Sequence, residues 1–590
     1  MYIKYVMAAP GTGKTQGAIA MIADHLEQIR LGKTIGNLFY VAPTKNLLRQ
    51  TWRNLTVKLG TKRQGVLTHC SFIAGHGSRI RSVVDLIYKK LNEGPGQVLF
   101  ITHHAFLRLR SHSSFQDTTI LFDENRQWIV PASNIKFSEQ TRPLFDLMFE
   151  IQPVPGTSIC RVLPKPTTQA SQLEAVRSVR DAREFKALEA FHKLISTDVR
   201  LGKARISAYG ALLKNRNATY TMVKVEVPYL PFEGFKEAYI LSARFESSQM
   251  YHLLQRDMLY GADIHLVDHT VPFLRKWIPN VDSTLAKVRS RYSSMVIVPL
   301  LANEDKVLSR TSLSTGFLCK SIPNMRADEF KTRLEELREQ ERLGPQFAQK
   351  NILRWKYGVT TGILSWMLSA AMYVNSKWKI QNPSQTLPLI FTNHDEEKAE
   401  VSYSEFSNSV TWVNHADSRG SNNFMGANSI LYLAAINAPP VVTRVLEHLT
   451  ANTRTPRGEP YDPNQDYVVD SALQCLGRGI VRDHTSKAPM LVVVPTISLA
   501  KYLQESLGGK PRISMKFIEA NPMQLHSLLS FNAGRSLPGS SELTPKEKAK
   551  MRALATAKYR AKLAGDSDLM RELDEERKSI RETANRRAQS

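Results

Sequence analysis

Cysteine is scarce: the 590 residues hold only Cys70, Cys160, Cys319 and Cys475, far apart and without a CxxC pair or a Cys/His cluster. Neither a disulfide framework nor a structural zinc site is expected, and a reducing cytoplasm fits. Long apolar runs are missing too. No stretch reaches the ~18 to 20 uninterrupted apolar residues of a membrane span, and Lys4 followed by a Gly/Lys loop interrupts the N-terminal apolar segment, unlike a signal peptide. A soluble, cytoplasmic protein without a membrane partner is expected. Negative charge is in deficit: 54 Asp+Glu face 79 Lys+Arg, for a net charge of +25 and a pI of about 9.8. That balance favours a polyanionic partner, most often nucleic acid. Length is plentiful, and with 42% hydrophobic residues it provides for several domains with ordinary cores and excludes a single small binding module.

The first 125 residues alternate short apolar runs with helix-compatible segments, the pattern of an α/β fold with a parallel sheet covered by helices. Residues 2–7, 38–42, 98–102 and 119–122 read as buried strands, and 15–30 and 46–59 as helices. The rhythm is lost from about 127 to 236, where Pro153, Pro155, Pro164 and Pro166 gather ahead of a charged helical stretch at 169–195; this reads as an insertion. It resumes with strands at 238–241 and 264–267 around a helix near 247–259. A second α/β unit follows, with strands at 295–300, 389–392, 429–433 and 491–494, a charged helix at 326–349 and an apolar one at 364–377. Residues 544–587 read as one or two solvated basic helices. No fixed-period repeat is visible.

Directly after the first strand stands Ala8-Ala9-Pro10-Gly11-Thr12-Gly13-Lys14-Thr15, opening into a helix. Glycines let backbone N–H groups turn inward around a phosphate, with the positive end of the helix dipole behind them. In such a loop Lys14 pairs with the β/γ-phosphates and the Thr15 hydroxyl holds Mg²⁺, so ATP and Mg²⁺ are the expected cofactors. The acidic pair this chemistry needs, expected at the end of a neighbouring strand, is Asp123-Glu124: Asp123 to orient Mg²⁺ and Glu124 to position or deprotonate the attacking water. Further on, Gln474 to Arg482 carries Arg478 and Arg482, four apart and expected on one helix face, able to reach a γ-phosphate.

With these in order, the chain resembles a superfamily 2 DExx-box helicase or translocase over about residues 1 to 500, and among those the DNA helicases of phages and plasmids. The resemblance implies two RecA-like domains with ATP in the cleft between them. Ala8 to Thr15 is similar to motif I, the nucleotide contacts falling on Ala9, Pro10, Gly11, Thr12, Gly13, Lys14 and Thr15. Pro43-Thr44 is similar to motif Ia and Thr102-His103 to motif Ib, both implied to grip strand phosphates. Asp123 to Arg126 stands in the place of motif II, and Ser242-Ala243 in that of motif III, implied to couple nucleotide state to strand contacts. Arg419-Gly420 is similar to motif V, where Arg419 touches nucleic acid and Gly420 the nucleotide; Gln474 to Arg482 is similar to motif VI, with Arg478 the stronger choice for an arginine finger.

The departures are specific. Motif II reads Asp-Glu-Asn-Arg, and the first strand follows Met1 so closely that no adenine-reading motif is expected before it, which disfavours a DEAD-box RNA helicase. Asn422 stands where motif V often has an acid, and Val481 where motif VI often has its second arginine. The expected organisation is a first RecA-like domain at 1–126, an insertion at 127–236, completion of that domain at 237–285, a second RecA-like domain at 286–510 with a helical insertion near 326–377, and a basic extension at 511–590. DNA is favoured over RNA, and replication or recombination proteins are the partners implied through the insertion or tail. The competing readings are a terminase-like packaging ATPase, a non-hydrolysing nucleotide-switched scaffold and an RNA helicase.

Overall fold

The computed structural model describes residues 1–60, 67–73, 80–136, 141–165, 188, 191–192, 195, 206–211, 219–301, 317–318, 363–383, 388–392, 411–414, 424, 426–434, 438–483, 486, 488–515, 531–532, 554, 573 and 575. The helices expected at 326–349 and in the tail, most of that at 169–195, and Arg419 and Gly420 lie outside them. The chain forms two compact units, Met1–Leu300 with Tyr373–Ile518, and Leu301–Met372 with Glu519–Ser590.

The first unit contains two parallel sheets flanked by helices. Strands β1 (Tyr2–Met7), β2 (Asn37–Ala42), β3 (Cys70–Phe72), β4 (Val98–Thr102) and β5 (Thr118–Asp123) alternate with α1 (Lys14–Arg30), α2 (Lys45–Leu59), α3 (Ile80–Asn92) and α4 (His103–Phe106). An antiparallel sheet then intervenes, formed by β6 (Ile129–Lys136), β7 (Phe149–Pro153), β8 (Ile159–Pro164), β9 (Ile206–Ala211) and β10 (Thr219–Glu226) in the order β6-β10-β9-β8-β7, with α5 (Thr141–Met148) between β6 and β7. Strand β11 (Glu237–Ser242), α6 (Gln249–Leu259), β12 (His265–Asp268) and α7 (Thr270–Trp277) complete the first sheet, ordered β12-β1-β11-β5-β2-β4-β3.

Alternation along the strands divides the side chains between two cores, as a sheet buried on both faces requires. Phe39 and Val41 of β2 join Ile3, Ile120, Phe122 and α6 on one face; Leu38, Tyr40 and Ala42 meet α1 and α2 on the other.

Helix α8 (Val281–Ser293) leads into the second parallel sheet, which begins at β13 (Met295–Leu301). Strand β14 (Phe317–Leu318), in the second unit, pairs with a later strand of that unit, and α9 (Ile363–Gln381) leads back to the sheet. Then come β15 (Leu389–Thr392), β16 (Thr411–Asn414), β17 (Ser429–Tyr432), α10 (Pro440–Thr450), α11 (Pro463–Leu476), β18 (Met490–Thr496), α12 (Ile497–Ser506) and β19 (Arg512–Ile513), with β20 (Phe531–Asn532) the partner of β14. The sheet order is β16-β15-β17-β18-β13-β19. Its core gathers Tyr292, Ile297, Phe391, Tyr432, Val492 and Leu503 with Leu473 and Leu476 of α11.

One helix does not stay with its sheet. Val442, Val445 and Leu446 of α10 are fully buried in the core that also holds Ile129, Ile159 and Val223 of the antiparallel sheet and Leu253 of α6. Polar contacts reinforce the crossing. Asp466 Oδ2 accepts from the Gln249 backbone N–H at 2.9 Å and from the Tyr461 hydroxyl at 2.9 Å. His252 Nδ1 lies 2.8 Å from Thr453 Oγ1, and Arg444 Nη1 donates to Ser158 Oγ at 3.0 Å.

Candidate nucleotide site between the two parallel sheets

Strand β1 delivers the loop Ala8–Gly13, and α1 starts at Lys14. Gly11 and Gly13 have φ of 84° and 90°, the left-handed region a side chain opposes. The loop is pinned at its base by Ala8 N–H donating to the Ser242 carbonyl at 3.1 Å, and internally by Thr12 Oγ1 donating to the Ala9 carbonyl at 2.8 Å. Lys14 Nζ folds over it, donating to the carbonyls of Ala8 and Ala9. The second sheet's elements close against this loop: Tyr292 of α8 donates its hydroxyl to the Pro10 carbonyl, and Ala9 packs on the second core.

The acidic pair sits where β5 ends, although not on a strand adjacent to β1; β11 lies between them, which corrects the expected order. Asp123 is buried, and its Oδ2 accepts from the Tyr40 hydroxyl and from Thr15 Oγ1 at 3.3 Å. Burial first, then the charge of Glu124, pushes its carboxyl up to about 6, while hydrogen bonds from Tyr40 and Thr15 and the charge of Lys14 pull the other way. Glu124 extends the ladder with its N–H donating to Leu241 at 3.0 Å, yet adopts φ 65°, an uncommon conformation for a residue with a Cβ. Asn125 Nδ2 donates to Ser242 Oγ at 2.8 Å, so Ser242 touches both the phosphate loop through its carbonyl and the acidic segment through its hydroxyl.

From the second sheet, α11 starts at Pro463, a residue favoured in a first helical turn, with the Asp462 carboxylate accepting from Gln465 N–H at 3.1 Å. The helix stops at Leu476. Arg478 therefore lies on the turn after α11 and Arg482 on a separate 3₁₀ turn, Ile480–Arg482, which corrects the shared helix face expected for the two arginines. Gly479 between them allows a close approach, since a Cβ there would stand 2.8 Å from the Ala427 carbonyl. Arg478 is 1% exposed. Its Nη2 lies 3.6 Å from Glu124 Oε1 and donates to Gln474 Oε1 at 3.4 Å, and its Nε has no hydrogen-bond partner among the described residues. The side chain of Arg482 lies outside the described residues.

Thr44 and Thr102 both cap helices, accepting from Leu47 N–H and Ala105 N–H at 3.2 Å, and each keeps its hydroxyl proton for another partner. Pro43 precedes the first of these caps and is half-buried. His103 departs from the expected strand contact. It is buried, stacked on Phe122 with ring centroids 4.1 Å apart, and its Nε2 lies 3.0 Å from the Asp123 carbonyl, so it supports the acidic segment from behind.

The phosphate loop, the acidic pair, Ser242 and Arg478 converge on one cavity of about 320 Å³, lined by Pro10, Gly11, Gly13, Lys14, Thr15, Asp123, Glu124, Ser242, Ala243, Gln474 and Arg478, whereas Pro43, Thr44, Thr102 and His103 do not line it. Its wall also includes Gln50, Thr51 and Asn54 of α2, Asn125, and Asp470 of α11, which sequence reasoning did not select. Asp470 had a signal, since 470, 474 and 478 recur at helical spacing; Tyr40 had none, as an aromatic inside an apolar strand reads as core. The chemistry of the cavity fits a nucleoside triphosphate with Mg²⁺. A helix N-terminus and a lysine face one end, a buried guanidinium with an N–H unpartnered among the described residues faces the other, and a hydroxyl and a carboxylate oxygen share one hydrogen bond between them. Mg²⁺ commonly uses one or two such oxygens together with substrate phosphates.

No protein-family model and no curated protein sequence matches the chain. Among solved structures, it is similar to S. tokodaii Xpd4 at a TM-score of 0.34 and 10% identity, over 87% of this chain and 96% of that one. It is similar also to the DEAD-box helicase Mss116 bound to ssRNA and UDP-BeF at a TM-score of 0.32 and 10% identity, over 97% and 81% of the two chains.

Proposed function

We propose that this protein is an ATP-dependent nucleic-acid translocase or helicase, acting on DNA in preference to RNA. The observation that carries the reading is the shared cavity: a phosphate loop and an acidic pair from one parallel sheet face Gln474 and Arg478 from the other. Two lobes that both touch one nucleotide change their separation when it binds and leaves, and strand contacts on each lobe turn that change into stepping.

In this reading the loop N–H groups and Lys14 bind the β- and γ-phosphates, and Thr15 with Asp123 holds Mg²⁺. Held there, Mg²⁺ would supply positive charge to offset that of the phosphates. Glu124 orients a water and accepts its proton; Gln474 positions Arg478, which leaves Glu124 to stabilise charge developing on the γ-phosphate, an effect of about 10³ to 10⁵ in rate for such fingers. Arg482 is the alternative finger, and Ser242 with Ala243 links cavity to strand grip. Thr44, Thr102 and Arg419 make the grips, through backbone phosphates and without sequence preference; Gly420 completes the nucleotide contact.

ATP hydrolysis measured against single-stranded DNA, duplex DNA, forked DNA and RNA tests the reading. DNA-stimulated turnover is expected. Glu124→Gln lowers it by about 10² to 10⁴ while nucleotide binding persists, and Lys14→Ala loses both. Stimulation by RNA alone would assign the other polymer; binding without turnover on any of them would make the protein a nucleotide-switched scaffold.

A further inference from the structure

Asp123 is held from the side of the sheet as well as from the phosphate loop. Strand β2 runs beside β5, and the fully buried Tyr40 packs its ring on Phe100 at 5.4 Å between centroids while donating its hydroxyl to Asp123 Oδ2. Behind it, Thr51 of α2 places Oγ1 3.2 Å from the Tyr40 oxygen and 2.9 Å from the Leu47 carbonyl.

Proton bookkeeping fixes the direction. An ionised carboxylate only accepts, so the one phenolic proton goes to Asp123, and the single Thr51 hydroxyl proton is shared between the Tyr40 oxygen and the Leu47 carbonyl. Such a buried chain polarises along its length and holds its terminal acceptor in one orientation. Packing alone asks only for a ring at this position, which phenylalanine would supply; the hydroxyl is what reaches the acid.

Resting on the nucleotide-site reading above, we propose that Tyr40, held by Thr51, is a positioning residue that fixes the Asp123 carboxylate for the divalent cation accompanying the nucleotide. It occupies one carboxylate oxygen together with Thr15, sets the plane of the group, and leaves the second oxygen outside the relay. Partners of this kind act on metal affinity, with losses of about tenfold or more when removed. The relay also runs from α2, whose Gln50, Thr51 and Asn54 face the cavity, so this helix contributes to the metal end of the site.

The test is binding of a fluorescent ATP analogue, titrated with MgCl₂ and repeated in EDTA, alongside thermal melting. Tyr40→Phe should raise the Mg²⁺ concentration for half-maximal tight binding about tenfold and leave the affinity in EDTA unchanged. Thr51→Val should move the Mg²⁺ requirement in the same direction by less, and Thr51→Ser, which keeps the hydroxyl, should restore it. Equal weakening with and without Mg²⁺, or an unchanged Mg²⁺ requirement in a folded Tyr40→Phe protein, overturns the proposal. Should Tyr40→Phe melt too early to assay, identical Mg²⁺ titrations for Thr51→Val and wild type overturn it as well. A wild-type protein that binds no nucleotide at any Mg²⁺ concentration removes the nucleotide site and this inference together, whereas normal wild-type binding with an unmoved variant removes only the inference.

Discussion

A single carboxylate shows what joining the two lobes costs. Asp466 is buried, with Oδ2 accepting from Gln249 N–H and Tyr461 O–H. Burial first, then the charge of Asp470, pushes its carboxyl up to about 7, against the pull of those two donors and of Arg244. In the unfolded chain it titrates near the ordinary carboxylate value. Between about pH 4 and pH 7 the folded protein thus retains a proton that the unfolded chain releases, so stability is full below this window and falls as pH rises through it. Asp466→Asn keeps an oxygen for both donors and has no charge to desolvate. Thermal melts across this range should show the wild type losing stability with rising pH and the variant changing much less; parallel curves would assign the titration elsewhere.

Among elements, α10 shows most clearly what could and could not be read from the chain. Its apolar residues, Val441, Val442, Val445, Leu446 and Leu449, recur at helical spacing, but spacing names a face and not its partner. The partner is the antiparallel sheet and α6, brought from hundreds of residues away. Leu446→Ala should cost about 2 to 5 kcal/mol in chemical denaturation, and the unfolding it promotes should involve the antiparallel sheet, seen as faster amide exchange in β8 and β10. By contrast, β1, β4 and β15 match their expected bounds to the residue; β4 and β15 are continuous apolar runs, as in strands buried on both faces, and β1 is bounded by the glycine loop that follows it. Strands β6 to β10 were hidden, since Pro153 and Pro164 broke the pattern and their pairing is set by distant ladders. The same division holds in the cavity. Lys14, Asp123 and Glu124 sit in local patterns that carry their own chemistry, whereas Tyr40, behind the cavity wall, gains its chemistry from the Asp123 carboxylate that the fold sets opposite it.

At the scale of the whole molecule, the excess of positive charge becomes a measurable quantity. Lys14 and Arg478 lie at the cavity, and if the protein acts on nucleic acid as proposed, the rest of the +25 is available for phosphate contacts. Log affinity for single-stranded DNA should fall linearly with log salt, with a slope of about −0.7 per phosphate neutralised. Removing residues after Pro538 should make that slope shallower by the share the C-terminal lysines and arginines contribute, and an unchanged slope would confine the contacts to the lobes. The connection between β5 and β11 constrains construction of another variant. These strands are parallel neighbours, so the chain leaves one end of the sheet at Asp123 and must re-enter at the other at Glu237. A six-residue strand is about 20 Å long, so a tight turn cannot join them. The antiparallel sheet is not that return path, since it begins and ends at one place, with Ile129 opposite Val225 and Glu226 N–H donating to the Trp128 carbonyl; residues 227–236 make the crossing and reach the start of β5, where Lys236 N–H donates to the Thr118 carbonyl. Cutting the sheet out between Trp128 and Glu226 therefore leaves the crossover in place, whereas a splice that also removed residues 227–236 would tear Ser242 away from both the loop and the acid it touches.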